Sequence, residues 1–222
     1  MMKRALLCAA LTLAVSLILL AASVYLLGTN DALMGCLMKR HAPPQATGLP
    51  AAEYPGVVRM ITGYLRGETV QFQYTYAIGN AECRAFNEKE QRHMADVQEL
   101  FRLAKWVLVL GGMALPLLGL SLWRMGRGLL RGIRKGLIVI LALVGIVAIW
   151  AAVDFNRLFI LFHQIAFTND LWLLNPRTDL LIRLMPIGFF ISYAALIGGL
   201  WLLGMIGLLI LATHRIKITK VE

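Results

Sequence analysis

The chain has 222 residues, 59% of them hydrophobic and 15% charged, with mean hydropathy +0.71 and a formal net charge of +10. A soluble domain carries roughly 45–50% apolar and about 25% charged residues, so this composition excludes an ordinary soluble domain and indicates an integral membrane protein.

Residues 1–27 are read as a basic tail and a first span. Lys3 and Arg4 precede the apolar run Ala5–Leu27, which meets the roughly 20 residues that a helix needs to cross the hydrocarbon core. The run is longer than the roughly 7–15 residues of a signal-peptide core, and no clean A-x-A site follows, so an uncleaved anchor is expected. Leu33-Met34-Gly35-Cys36 faintly resembles a lipoprotein processing box but lies beyond the apolar core. Residues 28–102 are expected to form a small outer α/β domain. Gly28–Pro55 is read as irregular because Arg40-His41-Ala42-Pro43-Pro44 and other Gly and Pro residues break any period. Pro55–Gly67 is read as a short helix, with Pro55 at its start and Gly67 at its end. Thr69–Tyr76 alternates like a half-buried strand, with Phe72, Tyr74 and Tyr76 on one face. Cys36 and Cys83 fall in this domain, where either a disulfide or two free thiols fits; Cys8, in the first span, reads as packing.

The clearest helix start is Asn87-Glu88-Lys89-Glu90, where Asn87 can cap the first free amides and Glu90 can reciprocate. A helix from there to Trp123 is about 54 Å long at 1.5 Å per residue. It exceeds the roughly 30 Å core, so its first three turns should project above the outer surface before the second span, residues 103–123. Pro116 is expected to kink it. A basic loop follows at 124–136, then a third span at 137–153 that borrows Ile133 or Phe155. Residues 154–186 form an outer interfacial segment, residues 187–212 the last span and residues 213–222 a tail. Gly198, Gly199, Gly204 and Gly207 are read as sites of close helix packing. No span carries a charge near its middle, which counts against coupled transport.

Charge sets the orientation. The basic residues of the N-terminus, of the 124–136 loop and of the tail stand unbalanced, whereas residues 28–102 hold eight basic and eight acidic residues and residues 154–186 hold three of each. Positive charge stays inside, so both termini are expected to be cytoplasmic and the neutral segments outside. The basic excess then reflects topology and anionic headgroups, with no nucleic-acid partner implied.

This orientation brings two histidines from distant sequence to one membrane face. His93 lies about three turns before the second span, with Asp96 three residues on along the same helical side. The carboxylate could orient the imidazole and raise its basicity, although an ordinary surface pair fits the same spacing. His163 lies among Phe159, Phe162, Phe167, Leu158 and Ile165. Burial there favours the neutral imidazole, a base at physiological pH; a histidine bonded to nearby backbone is the plain alternative. Asn169-Asp170 and Asn175-Pro176 read first as turn and cap residues, and Trp172 as an interfacial anchor. No H-x-x-x-H pair supports a metal, and no G-x-S-x-G, P-loop or dinucleotide signature appears; neither metal nor cofactor is expected.

Two stretches carry a resemblance: F-N-E-K-E-Q-R-H-M-A-D-V at Phe86–Val97, and F-H-Q-I-A-F-T-N-D-L-W-L-L-N-P-R-T-D-L-L-I-R-L-M-P-I-G-F-F at Phe162–Phe190. With the order of spans, the chain resembles the family of small four-span bacterial membrane proteins that includes the lipoprotein intramolecular transacylase. Residues 29–53 match nothing in that pattern. The resemblance implies an enzyme of the bacterial cell envelope acting on a diacylated lipoprotein within membrane lipid. It implies transfer of the sn-2 acyl chain of the diacylglyceryl-cysteine to the α-amino group of the same cysteine. On that reading His163 is the principal base, His93 the proton donor or relay and Asp96 its orienting group. Asn169, Asn175 or Arg157 would serve as oxyanion contacts, and Asp170 and Trp172 as supporting residues. A lipid hydrolase or intermolecular acyltransferase at the same surface, and a non-enzymatic membrane interaction module, remain the rival readings.

Overall fold

The computed structural model describes residues 2–124 and 127–218, with the side chains of 2, 115–124, 127 and 218 outside the described part. In chain order the elements are α1 (Met2–Gly28), α2 (Asp31–His41), α3 (Pro44–Thr47), a 3-10 turn (Ala51–Glu53), α4 (Tyr54–Arg66), β1 (Thr75–Ile78), β2 (Ala81–Arg84), α5 (Glu88–Arg124), α6 (Arg127–Val153), α7 (Phe155–Ala166), α8 (Leu180–Leu184) and α9 (Ile187–Ile218). The chain is mainly helical with one two-stranded antiparallel sheet.

Two compact units share these elements. One gathers Met1–Ser23, Ala104–Asp154 and Ile197–Glu222; the other gathers Val24–Leu103 and Phe155–Leu196. In the first, Leu137, Trp201 and Met205 form the buried centre, with Leu19, Ile133 and Leu141 packed against it. The Trp201 indole donates to the Ser16 carbonyl at 3.1 Å, which satisfies the one polar atom of this apolar anchor. Large apolar side chains such as Ile146, Val153 and Leu203 face outward, as they do when the surrounding solvent is lipid. Among the described residues three helices are long and apolar enough to cross a membrane: Lys3–Gly28, Gly128–Val153 and Ile187–Lys217. The expected second span lies in α5, and from residue 115 its side chains, including that of Pro116, fall outside the described residues. The helix that holds the expected third span, α6, begins at Arg127 and ends at Val153; Phe155 begins a new helix.

The close packing expected of the last-span glycines holds only at Gly204, where an added Cβ would meet Leu19 at 3.1 Å; at Gly198, Gly199 and Gly207 the space is open. The tight approach is elsewhere. A Cβ on Gly136 of α6 would lie 2.7 Å from the Thr12 hydroxyl of α1, and one on Gly132 would strike the Cys8 sulfur. These two glycines, one turn apart, let the α6 backbone pack against the Cys8 and Thr12 side chains of α1.

In the second unit two expectations need correction. Gly28–Pro55 is largely helical: Asn30 caps α2 by accepting from the Leu33 amide at 2.8 Å. Asp31 in its first turn and Lys39, Arg40 and His41 in its last match the helix dipole. The strand expected at Thr69–Tyr76 forms later, at Thr75–Ile78, as a hairpin with Ala81–Arg84 that turns at Gly79 (φ +60°). Upstream, the Gln73 carboxamide takes the place of a strand partner, accepting from the Tyr74 and Phe86 amides and donating to the Phe86 carbonyl. Phe72 is buried between Tyr64 and Phe86, with centroids at 5.1 and 4.6 Å, and Tyr74 and Tyr76 are half-buried. The α4 helix ends at Gly67 (φ +81°) as expected, because a left-handed C-cap strains any side chain. All three cysteines are free.

Candidate active site

The first turn of α5 is built by a reciprocal cap. The Glu90 amide donates to Asn87 Oδ1 at 3.0 Å, and the Asn87 amide donates to Glu90 Oε2 at 2.8 Å. Glu90 does more than cap. It is 1% exposed, and its Oε1 accepts from the Leu181 amide at 2.6 Å, at the start of α8. Asp179, 3% exposed, accepts from the Asn87 carboxamide (2.9 Å), the Asn175 amide (2.7 Å) and the Thr178 hydroxyl (2.7 Å). Lys89 donates to the Leu173 carbonyl and Asn169 Nδ2 donates to Asp96 at 2.9 Å. Four polar ties thus hold the 167–181 segment along the first turns of α5. Burial pushes the Glu90 carboxyl up, against the pull of the Leu181 and Asn87 amides. Burial also raises Asp179, but the Asn175, Thr178 and Asn87 donors outweigh it and hold that carboxyl below its ordinary range.

One turn beyond Glu90, His93 meets His163 with ring centroids 6.2 Å apart and planes inclined at 32°. Each residue is 7% exposed. His163 Nδ1 lies 2.7 Å from the Phe159 carbonyl one turn back along α7. A carbonyl only accepts, so Nδ1 carries the proton and Nε2 the lone pair. Phe159 (4.2 Å), Trp172 (5.0 Å), Phe162 (5.3 Å) and Phe167 (5.5 Å) surround the His163 ring, and Phe167 also lies 5.3 Å from His93. His93 Nδ1 is buried with no hydrogen-bond partner. Such an orphan costs about 1–3 kcal/mol and marks a place where a further group is wanted.

The cage keeps both imidazoles neutral. Burial, reinforced by His163 and Lys89 and opposed by Asp96, pushes His93 down to about 4. Burial also lowers His163, against the favourable Phe159 carbonyl. Between about pH 4 and the unfolded value of 6.5, the unfolded chain binds the His93 proton and the folded chain does not, so stability rises with pH across that window. Thermal unfolding in detergent should show a lower Tm at pH 5 than at pH 7, and His93→Gln should reduce that difference. An equal difference in the variant would contradict it.

The remaining predicted site residues distribute as follows. Asp96 is half-buried and bonded to Asn169; it acts on His93 through charge, while the His93 Nδ1 has no partner. The Asn169 and Asn175 side-chain oxygens accept from the Leu171 and Arg177 amides at 3.0 Å, forming the expected turns. Trp172 packs on the His163 ring. Asp170 is exposed and lines an open groove beside Phe167 and Trp172. Arg157 is exposed on α7, six positions before His163 and so about 240° around the helix at 100° per residue. No group of three or more His, Cys, Asp or Glu among the described residues could hold a metal ion. Sequence reasoning missed Asp179 and the second role of Glu90. The signal was faint: a Glu at a cap position, and an Asp following Asn175-Pro176.

The family model for the lipoprotein intramolecular transacylase Lit matches residues 9–190. No curated protein sequence matches the chain. Among solved structures, the fold is similar to the in meso structure of the membrane integral lipoprotein intramolecular transacylase Lit from Bacillus cereus, at TM-score 0.74 and 20% identity, covering 99% of this chain and 98% of that one. Structures of the same Bacillus cereus protein with a single histidine replaced by arginine or alanine give TM-scores of 0.68 and 0.64 at 21% and 20% identity, with 99% of this chain covered and 93% and 96% of theirs.

Proposed function

The chain belongs to the lipoprotein intramolecular transacylase family, and from that premise we propose that its two buried imidazoles carry out an ester-to-amide acyl transfer within one lipoprotein molecule. The substrate is a lipoprotein whose N-terminal cysteine bears a thioether-linked diacylglycerol. The α-amine attacks the sn-2 ester carbonyl, an amide bond forms, the ester C–O bond breaks and the amine proton ends on the freed glyceryl oxygen. The atoms balance without any co-reactant.

The observation that carries this reading is the pairing of two neutral, caged histidines from the two motifs, one with its tautomer set by Phe159 and the other with an orphaned nitrogen. His163 Nε2, with its lone pair free, accepts the amine proton as the tetrahedral centre forms. His93, as the relay, takes that proton on from His163 and delivers it to the leaving oxygen, so both imidazoles end neutral. At 6.2 Å between centroids, the rings can share one reacting atom lying within hydrogen-bond reach of each, roughly 2.6–3.2 Å. The amine's ordinary pKa of about 7.7–8.0 leaves a neutral fraction at pH 7. Holding amine and ester together supplies much of the rest, since oriented intramolecular reactions gain about 7–11 kcal/mol. Asp96, itself held by Asn169, favours the transient positive charge on His93, and Trp172 keeps the His163 ring in place. Arg157, Asn169, Asp170 and Asn175 are supporting residues in this scheme, with Asn175 acting through the Asp179 tie. Burial of both imidazoles among aromatic rings limits the access of water to the acyl carbon and so disfavours hydrolysis.

The charge pattern supports a topology with both termini in the bacterial cytoplasm, the dyad at the outer leaflet of the cell membrane and α5 crossing as a fourth span. Ester and amine of a membrane-anchored lipoprotein lie at that level. The test is mass spectrometry of a reporter lipoprotein's N-terminal peptide from a host lacking other N-acylating activity. Expression of this chain should convert the free-amine diacyl form to the N-acyl lyso form, and an unchanged diacyl form would refute the assignment.

A further inference from the structure

The substrate just proposed has an apolar part, two acyl chains, and a polar part, the polypeptide that continues from the modified cysteine. The mechanism uses neither Gln164 nor Thr168, although both stand next to the cage in sequence. They line, with Ile160, Phe167, Asp170 and Trp172, an open groove of about 540 Å³. Phe167 and Trp172 are the same rings that enclose His163, so the groove and the cage share a wall.

We infer that this groove seats the first residues of the lipoprotein polypeptide after the lipidated cysteine. The inference rests on the transacylase reading and assigns a subsite within it. Three observations carry it. The lining is divided between apolar rings and hydrogen-bonding side chains; acyl chains need a wholly apolar bed, because an unpaired amide or hydroxyl buried against hydrocarbon is costly, whereas a peptide backbone needs the partners that Gln164 and Thr168 offer. The groove shares its wall with the cage, and the peptide is joined directly to the reacting cysteine, so it must leave the site across such a wall. The volume lies within the roughly 300–1,000 Å³ of ordinary ligand pockets, enough for a short extended segment at about 3.3 Å per residue. Asp170 puts a carboxylate at this groove, so a basic residue in that segment is favoured over an acidic one.

The test uses the full-length protein in lipid nanodiscs with three synthetic substrates: diacylglyceryl-cysteine amide alone, and the same cysteine followed by four residues with either Lys or Glu among them. Wild type should show a lower KM for the Lys peptide than for the cysteine alone, and a higher KM for the Glu peptide than for the Lys peptide. Gln164→Ala should cut the kcat/KM advantage of the Lys peptide over cysteine alone about five-fold, the worth of one hydrogen bond. Asp170→Asn should shrink the Lys-over-Glu preference by about two- to five-fold, the worth of an exposed charge pair. Equal effects of Gln164→Ala on all three substrates, or no peptide advantage in wild type, overturn the subsite. Failure of wild type to convert even the cysteine alone overturns the transacylase reading instead.

Discussion

Replacing His163 with asparagine lowers the rate of acyl transfer by about 10²–10⁴-fold, the usual worth of one general base. Asparagine separates chemistry from folding. Its Nδ2 can still donate to the Phe159 carbonyl that now accepts from His163 Nδ1, so the local helix contact survives, but no lone pair stands where Nε2 did. Alanine at the same position gives a loss at least as large and also leaves a void among Phe159, Phe162, Phe167 and Trp172. His93→Asn behaves in the same way, and the double variant should be little worse than either single one, since the two rings serve one proton circuit. The assay is single-turnover conversion of a diacylated lipopeptide, with thermal unfolding as the control. Near-wild-type conversion by both asparagine variants at matched stability would remove the dyad from the mechanism.

Replacing Glu90 with alanine has the largest expected effect on stability. Its two oxygens take the Asn87 and Leu181 amides. Without them, two donors in a buried setting lose their partners, at about 1–3 kcal/mol each. The Asn87 cap itself survives, because the amide that donates to Asn87 Oδ1 belongs to the backbone of residue 90. Glu90→Gln keeps one acceptor oxygen and turns an amide toward the other donor, so roughly half the loss is expected. Activity falls with stability, because Glu90 is one turn from His93 and ties α5 to the segment that carries Trp172. Thermal unfolding reads the first effect, and conversion at a temperature where the variant remains folded reads the second. Asp179→Ala should be less than additive with Asn87→Ala, since Asp179 and Asn87 share a bond. Additive losses would show that the tie carries no energy.

Local and long-range features differed in how far they could be read from sequence. The α5 start was legible because a capping box is a contact between residues three apart. The apolar runs were legible because hydrocarbon demands a length. His163 stood out because a histidine among Phe and Leu is chemically anomalous whatever the fold. The partners of Asp96 and Glu90 were not legible. Spacing alone offered His93 to Asp96, but the carboxylate bonds to Asn169, 73 residues away, and Glu90 reaches Leu181 across 91 residues. Trp172 read first as an interfacial anchor, and its packing on the His163 ring was not visible from spacing. The α2 helix was hidden by the two prolines that follow it, although Asn30-Asp31 at one end and Lys39–His41 at the other were proper helix signals. The early end of the expected strand was lost to Gln73, whose side chain imitates a strand edge in a way that alternation cannot reveal.

Transfer within one molecule separates this enzyme from an intermolecular acyltransferase or a hydrolase, and an acyl crossover experiment measures it. Two diacylated lipopeptides, one with deuterated sn-2 chains and a heavy peptide and the other light in both, are mixed with the purified protein and read by tandem mass spectrometry. The N-acyl lyso products should pair every heavy peptide with a heavy chain and every light peptide with a light one. Mixed products would assign an intermolecular acyltransferase, and released fatty acid with a free amine would assign a hydrolase; either result contradicts the account.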